Sequence, residues 1–405
     1  MLVLVSFSPF FPTLRIPAKT MSSESKKPSS VLISRRSILL PMVASAVVAK
    51  VALSSRAIGL ANANEPTASF DFTGPGDSKS AIAAAKAFVA SLSADQQRLA
   101  VIPFETEKRL DWHFIPIDSR KGLPLRDMSE PQRQVALTLM RQVLSPAGYQ
   151  RALDIFAYEA ILLELEGPAA AKRRDYTKYY FTLFGEPNET SPWGLSIEGH
   201  HISINYTFEK GMLVDSTPQF FGVNPATLKK SFSIPDITQP GKKREFDSGV
   251  RLLAQEEDTA FELLKSMNAA QLQKAIYAQE CPDDIQWAGE PQPQSKPKVG
   301  IQAKELSAPQ KTMLQAILDS FNANMTEEVI QQRNALIKEA GLDQIYFGWA
   351  GAKDKAGQHY FRIEGPTFIA ELCNFQTDPQ GNIANHIHAV WRDMTGDFNL
   401  PLATP

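Results

Sequence analysis

Trp193-Gly194-Leu195-Ser196-Ile197-Glu198-Gly199 and His359-Tyr360-Phe361-Arg362-Ile363-Glu364-Gly365 are the same kind of segment met twice. Apolar and aromatic residues alternate with polar ones, the period of a β-strand with two unlike faces. Each is preceded by another aromatic run, Tyr180-Phe181-Thr182-Leu183-Phe184-Gly185 and Tyr346-Phe347-Gly348-Trp349-Ala350-Gly351. Turn-forming residues such as Glu186-Pro187-Asn188-Glu189 separate the runs, which predicts hairpins.

Upstream of each strand group the chain repeats itself again. Ala90-Ser91-Leu92-Ser93-Ala94-Asp95-Gln96 is echoed by Lys265-Ser266-Met267-Asn268-Ala269-Ala270-Gln271, and Arg126-Asp127-Met128-Ser129-Glu130-Pro131-Gln132 by Lys304-Glu305-Leu306-Ser307-Ala308-Pro309-Gln310. Serine followed two residues later by proline suits a helix N-cap and first turn. Three matched segments in one order imply an internal duplication. The expected fold is α+β, because helices precede strands without a βαβ rhythm. Two pseudo-duplicated halves are expected, each of amphipathic helices followed by a β-hairpin or small antiparallel sheet, packed as one unit. The expected boundaries are a leader at 1–63, a first repeat at 64–216, a linker at 217–250 and a second repeat at 251–405. A further polar loop is expected at 282–298.

The leader reads as an address. Ser34-Arg35-Arg36-Ser37-Ile38-Leu39-Leu40 precedes an alanine-rich apolar run from Pro41 to Val51, and Ala61-Asn62-Ala63 supplies small residues for cleavage. This is the order of a signal peptide, and its paired arginines resemble the twin-arginine signal, which implies the twin-arginine export machinery as a partner. The apolar run is shorter than the roughly 20 residues that span a bilayer and is interrupted by Lys50. Cleavage near Ala63 and a periplasmic or extracellular location are therefore expected, with no membrane association of the mature form. Alternatives are a membrane anchor, or a transit peptide ahead of a thylakoid-lumen signal. Met21 is a second candidate start.

Of 42 Lys/Arg and 44 Asp/Glu, eight basic residues and one acidic residue lie in the first 63, leaving 34 and 43 for the rest, a net charge of −9. An acidic body is a poor polyanion binder, which argues against nucleic acid. The two cysteines, Cys281 and Cys373, form neither a disulfide scaffold nor a CxxC metal knuckle, and either pair after export or remain buried thiols. Nucleophile-elbow, HExxH, P-loop and dinucleotide signatures are absent from the sequence.

Five of the six histidines fall in or beside the strand-rich ends: His200, His201, His359, His386 and His388. Alternation through 198–205 would put Glu198, His200, Ile202 and Ile204 on one face and His201, Ser203 and Asn205 on the other. In Asn385-His386-Ile387-His388 the i, i+2 spacing turns two imidazoles to one strand face, which suits a shared cation. Aligning Gly199 with Gly365 sets Thr367 against His201 and Glu371 against Asn205. The candidate metal ligands are His201, His386 and His388, with His200 and Glu364 beside them, and the ion is of the zinc or copper class. Glu371 is the candidate general base, Arg392 a group for an anionic substrate, and His113 a further imidazole. Two other readings are a polar pocket of hydrogen-bonded histidines and a solvated strand face. Similarly, His113 beside Trp112 also suits simple packing, and Arg120-Lys121-Gly122 suits helix capping as well as anion binding.

Trp112-His113-Phe114-Ile115-Pro116, Arg120-Lys121-Gly122-Leu123-Pro124-Leu125, Glu198-Gly199-His200-His201 and Asn385 to Asp393 together resemble the signature segments of the domain of unknown function 3500 family. The resemblance spans nearly the whole chain after the leader and implies no particular activity. Glu371-Leu372-Cys373-Asn374 departs from the Glu-Tyr-Asp-Asn that the family more often shows, so Glu371 and Asn374 are better candidates than position 373. The functional expectation is an exported metal-dependent, hydrolase-like enzyme acting on a small molecule. A non-catalytic exported ligand-binding protein is the alternative.

Overall fold

The computed structural model describes residues 76–402 apart from position 118, all within one compact unit. The expected leader and both candidate starts lie outside the described residues. Helices α1 (Ser78–Ser91) and α2 (Ala94–Ala100) lead into β1 (Val101–Ile102). A long loop then reaches β2 (Leu123–Pro124), α3 (Glu130–Val143) and α4 (Pro146–Glu166). Strands β3 (Tyr180–Phe184), β4 (Trp193–Gly199), β5 (Ile202–Glu209), β6 (Met212–Asp215) and β7 (Gln219–Val223) follow. After a hairpin of β8 (Phe232–Pro235) and β9 (Lys243–Phe246) come α5 (Ala254–Lys265), α6 (Ala269–Ala275), β10 (Ile276–Ala278), β11 (Ile301–Gln302), α7 (Ala308–Asn322) and α8 (Glu327–Ala340). Strands β12 (Tyr346–Gly351), β13 (His359–Glu364), β14 (Phe368–Asn374) and β15 (Ile387–Asp393) complete the chain. The protein is α+β, and among the described residues no helix is long and apolar enough to cross a membrane.

The helices begin where the polar residues placed them. Ser93 and Asn268 cap α2 and α6, each with a glutamine three residues on that bonds back to the cap N–H. The Ser129 and Ser307 N–H groups donate to Gln132 Oε1 and Gln310 Oε1 at 2.8 and 2.9 Å, and Pro131 and Pro309 occupy the first turns of α3 and α7. The capping glutamines also bond in pairs, Gln96 with Gln132 and Gln271 with Gln310. Along α3, Ala136, Leu137, Leu139, Met140 and Val143 are buried, the spacing of one apolar stripe.

The strands assemble differently from the expectation. Four helices precede each main run of strands, α1–α4 before β3 and α5–α8 before β12, and neither run closes into a hairpin or small sheet of its own. One mixed sheet of 13 strands runs β1-β3-β4-β5-β7-β15-β14-β13-β12-β10, with β2, β6 and β11 attached at β3, β5 and β12. The halves join where β7 pairs antiparallel with β15, from Val223 opposite Ile387 to Gln219 opposite Trp391. Most neighbours are antiparallel, but β1 with β3 and β10 with β12 are parallel. Thus the stretch 217–250, expected as a linker, supplies a central strand. Pairing β7 with β15 satisfies backbone groups that each half would otherwise leave at an open edge.

The sheet has two unlike faces. Phe181, Ile197, Ile204, Phe221, Trp391, Leu372 and Phe361 turn to one side and join the helices in the main core. At about 1.5–3 kcal/mol per fully buried large apolar side chain, this layer is the principal source of stability. The opposite face carries polar residues, Ser196, Glu198, Ser203, Asn205, His388, Arg392, Glu371 and Arg362, all buried. Two long loops, β1–β2 and β10–β11, lie over it and form a second core of Trp112, Phe114, Phe220, Ile285, Tyr360 and Val390. Burial of so many polar groups under loops requires partners for each, and those partners define the site.

Candidate metal centre

His201 does not sit in a strand. Strands β4 and β5 end and start at Gly199 and Ile202, which pair directly, so His200-His201 is a two-residue turn. That reversal puts Glu198 opposite Ser203 on the polar face and Ile202 and Ile204 on the helix face, correcting the alternation expected straight through the segment. His201 adopts φ 64°, a left-handed conformation uncommon for a side chain with a Cβ. Its backbone is held on both sides: its N–H donates to the Phe114 carbonyl at 2.9 Å, and its carbonyl accepts from Gly222 N–H at 2.8 Å. Gly222 leaves room for the ring, since a Cβ there would lie 2.8 Å from His201 Cδ2.

His386 directly precedes β15, its N–H donating to Asn374 Oδ1 at 3.1 Å. His388 lies on β15 between Cys373 of β14 and Gly222 of β7. The long-range pairing of β7 with β15 brings the two histidine segments together. His201 Nε2 is 2.8 Å from His386 Nε2, which is 3.1 Å from His388 Nε2. The three ligand-type nitrogens lie within 4.8 Å of one another, and all three residues are buried. Of the described residues, these form the one such group of three.

Hydrogen bonding within the trio does not satisfy it. One imidazole nitrogen carries either a single proton or a single lone pair, and His386 Nε2 faces two neighbours at once. A cation accepts all three lone pairs. Tetrahedral zinc with Zn–N bonds of 2.0–2.1 Å holds neighbouring nitrogens about 3.3 Å apart; the 2.8 and 3.1 Å pairs lie near that spacing, whereas the remaining pair, within 4.8 Å, would draw together on binding an ion. Burial, ahead of the neighbouring histidines, holds His201 and His386 well below the ordinary imidazole range. Both are therefore neutral, the form that binds metal.

The outer nitrogens are also engaged. Asp284 Oδ1 lies 2.8 Å from His388 Nδ1, the carboxylate–histidine pairing that orients a ligating ring. The Asn224 amide lies 3.4 Å from His386 Nδ1, and its Oδ1 lacks a partner among the described residues. Turned about its last bond, that amide would accept the Nδ1 proton. Phe114, Phe220 and Phe375 wall the centre, with ring centroids 4.8, 5.2 and 5.2 Å from that of His388.

The other expected site residues lie elsewhere. His200 stacks on His201 at 3.7 Å, but its Nδ1 is taken by Glu159 of α4 and lies 3.0 Å from Arg174 Nη1. Burial pushes that Glu159 carboxyl up to about 8. Glu364, at the end of β13, lies 3.4 Å from Arg362 Nη2 and apart from the trio. Glu371 contacts the Tyr360 hydroxyl and accepts from Gln286 N–H at 3.1 Å, and burial pushes it up to about 7. Arg392 is fully buried, its Nε on Asp397 at 2.7 Å and its Nη atoms on the carbonyls of Trp287 and Glu290 at 3.0 and 2.9 Å. With every edge of its guanidinium engaged, Arg392 anchors the β10–β11 loop instead of meeting a substrate anion. His113 accepts the Phe114 N–H on Nδ1 at 2.9 Å. It lines a cavity of about 300 Å³ with Lys108, Asp111, Arg120, Lys121 and Glu198. The Phe114 ring packs on both His113 and His388, at 5.2 and 4.8 Å.

Asp284, Asn224 and Gly222 were not legible as site residues. Asp283-Asp284 resembles any acidic loop, and nothing local marks Asn224 or Gly222 as neighbours of a histidine. Comparison with known proteins finds no match among curated proteins or solved structures. Residues 76–400, which include every residue of the centre, match the family described as "Protein of unknown function (DUF3500)". The chain belongs to that family.

Proposed function

We propose that this chain is an exported protein that holds a transition-metal ion of the zinc or copper class on His201, His386 and His388 and uses it in hydrolytic chemistry on a small molecule. The carrying observation is the convergence of three buried Nε2 atoms that hydrogen bonding among themselves cannot satisfy. Asp284 and Asn224 orient two of the rings. When bound, an ion of this class supplies Lewis acidity and activates water near neutral pH. The cavity beside His113 and Glu198 offers room for a substrate, and Glu198 is three residues from His201 along the chain. Export rests on Arg35-Arg36 and the apolar run behind them. We also read the two halves as copies of one unit, on the strength of the paired capping glutamines and the recurring order of elements.

Metal analysis of the full chain purified from its native compartment tests the centre. About one equivalent per chain is expected, lost in His388→Ala. Less than about 0.2 equivalents, with thermal stability unchanged by chelator, would overturn it, since a folded site of this kind binds tightly. Burial of the trio behind three phenylalanine rings favours a second reading, a non-catalytic ligand-binding protein. Hydrolysis of ester or phosphoester probes by metal-loaded but not chelated protein supports the first. A ligand bound and released unchanged supports the second.

A further inference from the structure

The histidine centre leaves two thiols beside it unused. Cys281 opens the stretch 281–298 and is half-buried, whereas Cys373 on β14 is buried, one strand from His388. Their Sγ atoms are 3.8 Å apart, and both lie against the Pro282 carbonyl at 3.3 and 3.4 Å. These are the two cysteines of the whole chain. A sulfur–sulfur bond spans about 2.05 Å, so closure asks for a movement of about 2 Å, within reach of side-chain rotation at the half-buried end.

The stretch that starts at Cys281 carries the second layer of the centre. Asp284, three residues on, holds His388. The following residues are tied down in turn: Gln286 N–H to Glu371, Trp287 and Glu290 carbonyls to Arg392, and Gln292 to Asp397. Asp284 thus sits between one anchored segment and the thiol.

We propose that Cys281 and Cys373 are a redox pair whose disulfide, formed in an oxidising compartment, clamps the β10–β11 loop and its Asp284 over the histidine centre. The Cys281 thiolate, the one nearer solvent, attacks a small-molecule or protein disulfide and displaces one thiol. Cys373 then attacks Cys281 Sγ in the mixed disulfide and displaces the second. The pair loses two electrons and two protons, and the oxidant leaves as two thiols. The bond closes a loop between residues 92 apart in sequence, a span over which a crosslink restrains the unfolded chain strongly.

Incubation of the full-length chain with oxidised glutathione, then denaturation, alkylation and mass analysis, tests the pairing. The expected product carries no alkyl group, has lost about 2 Da and yields a linked peptide of Cys281 and Cys373. Cys281→Ser and Cys281→Ala retain one alkylatable thiol. Two alkylated thiols, or two separate glutathione adducts, would overturn the pairing. Amide hydrogen exchange across 282–298 tests the clamp, with protection rising at least about threefold on oxidation in the native chain and unchanged in Cys281→Ser. Equal exchange in both redox states would overturn the clamp. Neither readout uses the metal, so both stand or fall separately from the histidine reading.

Discussion

Asp284 is the side chain on which the candidate centre can be probed without touching a ligand. Its carboxylate accepts from His388 Nδ1 at 2.8 Å and is itself partly exposed, so its removal opens no large cavity. Outer-shell partners of this type are typically worth 10–100-fold in metal affinity. Asp284→Ala is expected to raise the zinc dissociation constant by about that factor, measured by competition with a chromogenic chelator, with the melting curve of the metal-free protein little changed. Asp284→Asn, which keeps an acceptor, is expected to recover part of the loss. An unchanged constant for the alanine variant would remove Asp284 from the centre.

At the scale of the elements, the capping glutamines carry more than their helices. Gln132 receives the Ser129 N–H and donates to Ser91 O and Gln96 Oε1, and Gln310 does the same for Ser307, Ser266 O and Gln271 Oε1. Each glutamine therefore ties the start of one helix to the end of another. Gln132→Ala and Gln310→Ala are each expected to cost about 1–3 kcal/mol in urea unfolding, because each leaves partly buried partners unpaired. Similar losses at the two positions are expected, since their partners match. A glutamine on the outer face, such as Gln315, which bonds Asp319 on its own helix, is expected to cost under about 0.5 kcal/mol.

For the whole molecule, the pH dependence of stability reports on charge buried during folding. Burial, reinforced by Asp397, pushes the Asp215 carboxyl up to about 8 from its ordinary value of 3.8. The folded state then holds a proton that the unfolded state has released, so this contribution is complete below about pH 4 and is lost as pH rises to about 8. Asp215→Asn keeps the shape without the titration: its one amide oxygen can accept from the Asn399 N–H while its Nδ2 donates to Thr217 Oγ1, whose hydroxyl serves as either partner. Relative to the native chain, that variant is expected to gain on the order of 5 kcal/mol between pH 4 and pH 8. Parallel stability profiles of the two proteins across this range would show that Asp215 does not titrate in this way.

Much was decided locally and so was open to sequence reading. Strand alternation in Trp193–Gly199 and His359–Glu364, and the caps at Ser129 and Ser307, depend on residues within a turn or two. The i, i+2 spacing of His386 and His388 does turn both rings to one point, 3.1 Å apart at Nε2. The paired arginines of the leader are likewise a local pattern, though outside the described residues. The residues that join His201 to that pair are not local. His201 reaches the pair because the chain reverses at 200–201 and because β7, within the expected linker, pairs with β15. Glu371 and Arg392, both plausible by type, are instead committed to Tyr360 and Asp397. Sequence alone determined the α+β class, the helix starts and two imidazoles turned to one side at the start of one strand. Only the tertiary structure decided the shared sheet, the third imidazole and the partner Asp284, because those rest on contacts between segments a hundred or more residues apart, which no local period encodes.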